Sequence, residues 1–496
     1  MNHEPTDEQR HALALFAFGD NLAVEAGAGT GKTTLLRMLA ESTPRRGQYL
    51  AFNRSIVDEA SRTMPENLSC STAHSLAMRT VGGPFRPRLR SSVRQPGHEV
   101  AKLLDLRSLV IRYGSQTKVL QPGYLASLVQ RAITVFCQTA DEIPGRQHVP
   151  YVEGIDVPRP DGGRTWTNND AVRDHIADAI TLAWADLCKV DGRLRFRHEH
   201  YLKMWQLSHP RLPVEFVLFD EAQDASPVML DVVARQDHAQ LVFVGDSQQQ
   251  IYEFTGAVNA LAKVPASQRA VLTQSFRFGP AIAAAANHVL AEIGTTMRLR
   301  GWPATESTLA LLEQPRCILT RTNATAVDNV LRHQRTGRRV HLIGGGSEVV
   351  AFAEAAQRLQ AGDTTWHPEL ACFTTWGEVQ EYVEQDPQGS ELALLVGLVD
   401  EYGVDTIVAA LKVMVPEEAA DVVISTAHKA KGREWPTVQL ADDFPDPRES
   451  FAAMLEPELS RAELRLIYVA ATRAREVLDV TRCPLFVPNA PVEVLR

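Results

Sequence analysis

A short apolar run, Leu22–Val24, leads into Ala26–Gly27–Ala28–Gly29–Thr30–Gly31–Lys32–Thr33 and then into a helical pattern over Thr33–Ala40. No other stretch so narrows what the chain can become. Glycines let the backbone curl until successive N–H groups face one centre, which suits phosphate oxygens. The helix N-terminus behind the curl adds a favourable dipole. Lys32 supplies a mobile charge for the outer phosphates, and the Thr33 hydroxyl can ligate magnesium. Such a loop needs a strand before it and a helix after it, so it predicts an α/β chain built on parallel sheets. The strict pattern has glycine at position 26, and Ala26 departs from it.

The rest of the chain keeps this rhythm. Apolar, β-rich runs recur at Tyr49–Phe52, Phe216–Phe219, Leu241–Val244, Cys317–Leu319, Val340–Ile343 and Val422–Ile424. Each ends in a polar or glycine-bearing loop, and helical patterns such as Ala281–Ile293 lie between several of them. Two stretches break the alternation. Residues 82–205 are rich in Arg, Gln and helix formers, and residues 346–418 look helical and acidic. Both read as insertions. The expected organisation is a first α/β domain from 1–81 and 206–270, interrupted by 82–205, and a second from 271–345 and 419–496, interrupted by 346–418.

The run Phe216–Phe219 delivers Asp220–Glu221–Ala222–Gln223–Asp224. A strand ending in two carboxylates is the expected partner of a phosphate loop. Asp220 would hold magnesium through water, and Glu221 would orient and deprotonate an attacking water. A third strand, Leu241–Val244, leads into Gly245–Asp246–Ser247–Gln248–Gln249–Gln250, whose amides can sense a γ-phosphate by hydrogen bonding. ATP and Mg2+ are the cofactors these residues call for.

Composition sets outer bounds. With 496 residues, 45% hydrophobic and 22% charged, the chain can bury more than one core. No apolar run reaches membrane-spanning length, and the polar start MNHEPTDEQR is unlike a signal peptide. The six cysteines are scattered without a CxxC pair, which points to a reduced, cytoplasmic protein and away from zinc or a disulfide framework. His198–Glu199–His200 lacks a third ligand nearby, so no metal site is expected there. The net charge of −9 speaks weakly against nucleic acid, but binding depends on where charge clusters. Phe85–Arg94 is locally basic, and two readings stay open for it, a phosphate-facing groove wall or a solvated loop.

Taken in order, these motifs resemble those of the UvrD/Rep/PcrA superfamily 1 DNA helicases over nearly the whole chain. The F-box DNA helicase branch is the most similar, although no F-box precedes the motor here. The resemblance implies two RecA-like parallel-sheet domains with a P-loop, each carrying an inserted, mainly helical subdomain. It implies that Gln9 reads adenine, that Phe276 stacks on it and that Glu434 reaches the ribose. Gln249 falls on the γ-phosphate sensor, and Arg277 and Arg473 fall on two arginine fingers. Asn53, His74, Thr426 and His428 would touch DNA. Phe52, Phe254 and Trp435, with Tyr252 beside them, are candidates for stacking on bases, with ordinary core packing as the other reading. Three features depart from the family. Phe254–Thr255–Gly256 stands where Trp-Arg-Gly is usual, Arg433 replaces a leucine, and the insertion at 346–418 is short. The activity implied is an ATP-dependent DNA helicase or translocase moving 3′ to 5′ on single strands and duplex junctions, in repair, recombination or phage defence. A translocase that strips proteins from DNA and an ATP-gated DNA-binding subunit with a protein partner are the alternatives.

Overall fold

The computed structural model describes residues 4–51, 54–90, 95–113, 116–152, 155–156, 165–251, 259, 261, 264, 266–365, 367, 369–370, 373, 375–384, 391–446 and 457–487. They form two compact units. The first comprises Met1–Glu25, Lys32–Ser247 and Tyr252–Val271; the second comprises Ala26–Gly31, Gln248–Ile251 and Leu272–Arg496.

The first unit is built on strands β1 (Leu22–Ala26), β2 (Gly47–Ala51), β3 (Leu68–Thr72), β6 (Phe216–Phe219), β7 (Gln240–Gly245) and β8 (Gln268–Leu272), in the order β3-β2-β6-β7-β1-β8. β6 and β7 are buried at every position. That burial explains why they read as continuous apolar runs rather than alternating ones, since helices cover both faces of such a sheet. β1 pairs with β7 in parallel, from Leu22↔Val242 to Glu25↔Gly245, and β6 pairs with β7 from Phe216↔Gln240 to Phe219↔Phe243. The exits of β1, β6 and β7 therefore lie side by side, and the phosphate loop, Asp220–Glu221 and Asp246–Ser247 follow them.

Residues 82–205 contribute helices Gly97–Leu103, Pro122–Gln138 and Thr167–Leu187, followed by His198–Leu207 at the return to the sheet. They also hold an antiparallel hairpin, β4 (Leu109–Tyr113) with β5 (Gln116–Leu120), which the helix-rich composition had hidden. Its strands are rich in β-branched and aromatic residues, so local propensity won over the surrounding pattern. Lys203 anchors this region. Its ammonium is fully buried, donates to the carbonyls of Thr139 (2.9 Å) and Asp141, and lies 4.3 Å from the Phe136 ring centre. It thereby satisfies carbonyls left open where helix Pro122–Gln138 ends.

The second unit's sheet has the order β11-β12-β10-β13-β14-β9, with β9 at Thr308–Leu309, β10 at Cys317–Thr320, β11 at Val340–Leu342, β12 at Val422–Thr426, β13 at Trp435–Leu440 and β14 at Ala474–Asp479. Every pairing in it is parallel. Helices Ser347–Gln360, Trp376–Glu384, Glu391–Tyr402 and Val404–Lys412 occupy the stretch between β11 and β12. Among the described residues no helix is long and apolar enough to cross a membrane.

Burial pushes the Lys203 ammonium down to about 8 from its ordinary 10.5, against the nearby acids that favour its charge. The charged form is thus disfavoured in the folded chain. That destabilisation is fully present below about pH 8 and fades as pH rises toward the unfolded value. Chemical denaturation of wild type and Lys203→Met across this window should show the wild type gaining stability relative to the variant as pH rises.

Candidate functional site

The phosphate loop leaves β1 at Ala26, which is fully buried. Only Gly29 (φ +72°) and Gly31 (φ +80°) adopt the left-handed backbone that favours glycine. Gly27 is needed for another reason: a Cβ there would lie 2.2 Å from the Leu299 side chain. Position 26 has neither demand, so alanine is accommodated. The Thr30 hydroxyl donates to the Gly27 carbonyl at 2.8 Å and draws the loop tight. The loop backbone groups with the second unit through real bonds, the Gly27 N–H to the Leu272 carbonyl (3.1 Å) and the Phe276 N–H to the Gly29 carbonyl (2.8 Å). The Ala28 N–H donates to the Tyr468 hydroxyl at 3.2 Å.

In the first unit Lys32 opens helix Lys32–Glu41 and its ammonium lies 3.5 Å from the Glu221 carboxylate. Thr33, next on the helix, is exposed. Glu221 itself adopts φ 51°, ψ 44°, a strained conformation for a residue with a side chain. Asp220 is buried, accepts the Tyr49 hydroxyl at 2.7 Å and accepts the Glu221 N–H at 2.9 Å. Burial and then the Glu221 charge push the Asp220 carboxyl up to about 6, while Lys32 and the Tyr49 hydrogen bond pull it down.

Two further side chains bind these strand ends together. The Gln223 amide donates to Glu221 at 2.6 Å, and its oxygen accepts the Asp246 N–H at 3.0 Å. Gly245 has to be glycine for this, since a Cβ would come within 2.3 Å of the Gln223 oxygen. Glu25, the residue before the loop, accepts both the N–H and the hydroxyl of Ser247 at 2.7 Å. Its carboxyl is raised by burial and by Asp246. Neither Tyr49 nor Glu25 was legible beforehand. Tyr49 looks like a core aromatic; the one signal for Glu25 was a carboxylate inside the apolar run Leu22–Ala26.

The donor set suits Mg2+. Asp220, Glu221 and the Thr33 hydroxyl are hard oxygen groups, and the Lys32 charge acts on both Asp220 and Glu25. Among the described residues no cluster of three His, Cys, Asp or Glu side chains could cage a metal alone. Magnesium needs no such cage, because one or two carboxylates, water and substrate phosphates complete its shell.

In the second unit the two arginines are held by different partners. Arg277 pairs with Glu434 (Nε to Oε2, 2.6 Å) and donates to the Thr472 carbonyl at 3.1 Å. Arg473 is 1% exposed and donates to the Val469 carbonyl (2.8 Å), the Thr472 hydroxyl (2.9 Å) and the Gln249 side-chain oxygen (3.4 Å). The Lys431 ammonium donates to the Gln249 carbonyl. The sensing glutamine and the second arginine expected from the motifs are thus joined. A Cβ at Gly29 would lie 2.6 Å from the Arg277 Cβ, which places that arginine beside the loop backbone. Phe276 is half-buried, its ring 5.0 Å from that of Trp302. Gln9, in the first unit, uses its side-chain oxygen to accept the Thr6 N–H at 3.0 Å in a capping box, which fixes the direction of its amide.

Of the expected DNA contacts, Phe52, Asn53, Tyr252 and Phe254 lie outside the described residues. His74 stands one turn beyond the exit of β3, in helix Ala73–Ala77 capped by Thr72. Thr426 ends β12, buried, and its hydroxyl accepts the Lys429 N–H. Burial, then the charge of Arg321, lowers the His428 imidazole. Trp435 lies at the start of a strand. It is 4% exposed, opens β13 opposite Ala474, and its indole N–H donates to Glu417 at 3.2 Å. The other Glu417 oxygen takes Arg433 at 2.7 Å, which gives that arginine a structural partner. This burial favours the core-packing reading of Trp435 over base stacking. The basic stretch is divided as well: Arg88 binds the carbonyls of Leu187, Lys189 and Leu194 and lies over Phe196, so it is structural, while Arg86 and Arg90 are exposed.

Family models match this chain as an AAA domain over residues 9–255 and as a UvrD-like helicase C-terminal domain over residues 404–484. The chain belongs to the UvrD-like superfamily 1 helicases. Its relatives include F-box DNA helicase protein 1 of Schizosaccharomyces pombe, 28% identical over 93% of this chain and 55% of that protein. F-box DNA helicase 1 of Gallus gallus is also 28% identical, over 93% of this chain and 47% of that protein. The UvrD-like chain thus spans about half the length of these curated relatives. A solved complex of Arterivirus nonstructural protein 10 (helicase) with DNA shares 11% identity over 95% of this chain and 62% of that one, at a TM-score of 0.30, a weak likeness.

Replacing Trp435 with alanine should cost about 3–5 kcal/mol of stability, the usual cost of emptying a buried aromatic site. Thermal unfolding checks this. Any loss of ATPase should be the same with and without DNA; a selective loss of DNA stimulation would instead restore the base-stacking role.

Proposed function

We propose that this chain is an ATP-driven motor that translocates on single-stranded DNA and unwinds duplex, with 3′-to-5′ polarity following from its family resemblance. The observation that carries the reading is the pairing of Lys32 with Glu221 at 3.5 Å beside buried Asp220, at adjoining strand ends. Such a lysine has a carboxylate partner only until a phosphate competes for it. When the outer phosphates of ATP take Lys32, Glu221 is released to accept a proton from water, and its strained backbone keeps it at that place. Asp220, held by Tyr49, and Thr33 would hold Mg2+, which supplies charge neutralisation to the phosphates when bound. Gln223 holds Glu221 in line with the Asp246 turn.

The arginines complete the proposal. Arg277 must exchange Glu434 for phosphate, and the released Glu434 is then available to a ribose hydroxyl. Arg473 is oriented by the Val469 carbonyl, the Thr472 hydroxyl and the Gln249 side-chain oxygen. DNA as the track is supported by the helicase relatives. Free thiols at the described cysteines support a cytoplasmic setting.

The deciding experiment measures ATP hydrolysis with and without single-stranded DNA or RNA, together with displacement of a labelled strand from a 3′-tailed duplex. Stimulation by DNA and displacement are expected; a chain that hydrolyses ATP indifferently to DNA would overturn the motor. Lys32→Ala should lower turnover by about 10²–10³-fold or more. Glu221→Gln should still bind ATP and DNA while hydrolysing slowly, and loss of ATP binding in that variant would remove Glu221 from its role as base.

Arg277→Ala and Arg473→Ala should each slow hydrolysis by about 10³-fold, the scale of an arginine finger. Single-turnover ATPase separates this from weaker ATP binding.

A further inference from the structure

The two histidines of the run His198–Glu199–His200 serve different ends. His200 is buried, and its Nδ1 accepts the Arg197 N–H at 3.0 Å, which closes the start of helix His198–Leu207. His198 instead lies with Nδ1 3.0 Å from the Tyr201 hydroxyl. The buried Tyr201 ring meets His198 edge-on at 5.6 Å and His74 edge-on at 5.8 Å. A helix at the end of the inserted region therefore reaches the residue expected to touch DNA.

His74 lies in a groove at the exit of β3. Arg54, Asp58, Cys70 and Arg79 line it from the sheet side, and Tyr201 lines it from the helix His198–Leu207. The charged groups that act on His74 from that helix are His198 and Glu199. Arg54 is paired with Asp58 at 3.6 Å, and Arg79 donates to Ser71 at 3.0 Å. The Nδ1 of His74 is sealed from solvent and has no hydrogen-bond partner. Nε2 is then the nitrogen left to meet a ligand. Protonation would place a second N–H at Nδ1 without an acceptor, so the site favours the neutral ring with its hydrogen on Nε2. Burial and then His198 hold the imidazole below its ordinary value, against Glu199.

We infer that Tyr201 is a positioning residue that keeps His74 dry, neutral and aimed as a hydrogen-bond donor to a nucleic-acid phosphodiester in this groove. The inference rests on the nucleic-acid reading above. A neutral donor has a distinctive signature. It adds affinity without releasing counterions and without pH dependence near neutrality, whereas an arginine contact contributes to the salt slope. Tyr201 acts through the ring it packs against His74, and His198 steadies its hydroxyl.

The test uses the full chain and a fluorescent oligo-dT strand, with affinity measured from about pH 5.5 to 8.5 and histidine ring signals followed by NMR without DNA. Wild type should bind with a flat pH profile, and its His74 signal should titrate below the ordinary histidine value. His74→Ala should bind about 3–10-fold more weakly, and His74→Gln, which keeps a neutral donor, should recover most of that loss. Tyr201→Ala should weaken binding at pH 8 and regain affinity as pH falls through about 6.5, because a hydrated His74 recovers its ordinary titration and its charge. Tyr201→Phe should keep the flat profile, and Arg79→Gln should lower the salt slope by about one without altering it. Circular dichroism checks that each variant is folded. The inference is overturned by a wild-type His74 titrating at about 6.5, by His74→Ala binding like wild type, or by a flat Tyr201→Ala profile. The NMR arm decides it in the free protein, so a wild type that binds no oligo-dT would sink the nucleic-acid reading separately.

Discussion

Glu25, Asp220, Glu221 and Asp246 converge at the strand exits of one parallel sheet, where the Lys32 ammonium lies 3.5 Å from the Glu221 carboxylate. That imbalance of charge organises the first unit. Carboxylates that are buried and near one another resist ionisation, and the raised Asp220 and Glu25 carboxyls express that resistance. Neutral groups relieve part of it: Tyr49 donates to Asp220, Ser247 to Glu25, and Gln223 to Glu221.

The second unit solves a complementary problem. It places Arg277 beside the phosphate-loop backbone and buries Arg473 next to Gln249. Arg473 is buried and bonded to carbonyl, hydroxyl and amide oxygens, which orient its guanidinium. Arg277 is more accessible and rests on Glu434. A fixed arginine and a switchable one thus share one unit. Gln249 is bonded to the fixed one and to Lys431, so its position follows the arrangement of both.

Much of this was readable in advance. The seven apolar runs fall on strands β1, β2, β6, β7, β10, β11 and β12, because a parallel strand covered on both faces must be apolar throughout. The carboxylates and amides at their ends are local in sequence, so their grouping on one sheet edge follows once the strands are parallel. The hairpin β4–β5 escaped because ten residues of strand propensity are diluted by helix formers on either side. Trp435 escaped for a different reason. An aromatic after a polar motif looks the same in sequence whether its ring faces solvent or enters a sheet, and only the start of β13 and the Glu417 acceptor distinguish the two.

The sequence by itself determined a phosphate loop, its carboxylate strand and a parallel α/β framework, since each depends on residues close together in the chain and on the short-range geometry of strand, turn and helix. Tertiary structure alone decided which distant side chains support that chemistry. Tyr49 reaches Asp220 across 171 positions, and Arg473 reaches Gln249 across 224. It also decided that Arg433 is an ion-pair partner of Glu417 and that Ala26 can stand where glycine is usual. Such pairings depend on burial, backbone angles and the order of strands in the sheet, which no local pattern of residues encodes.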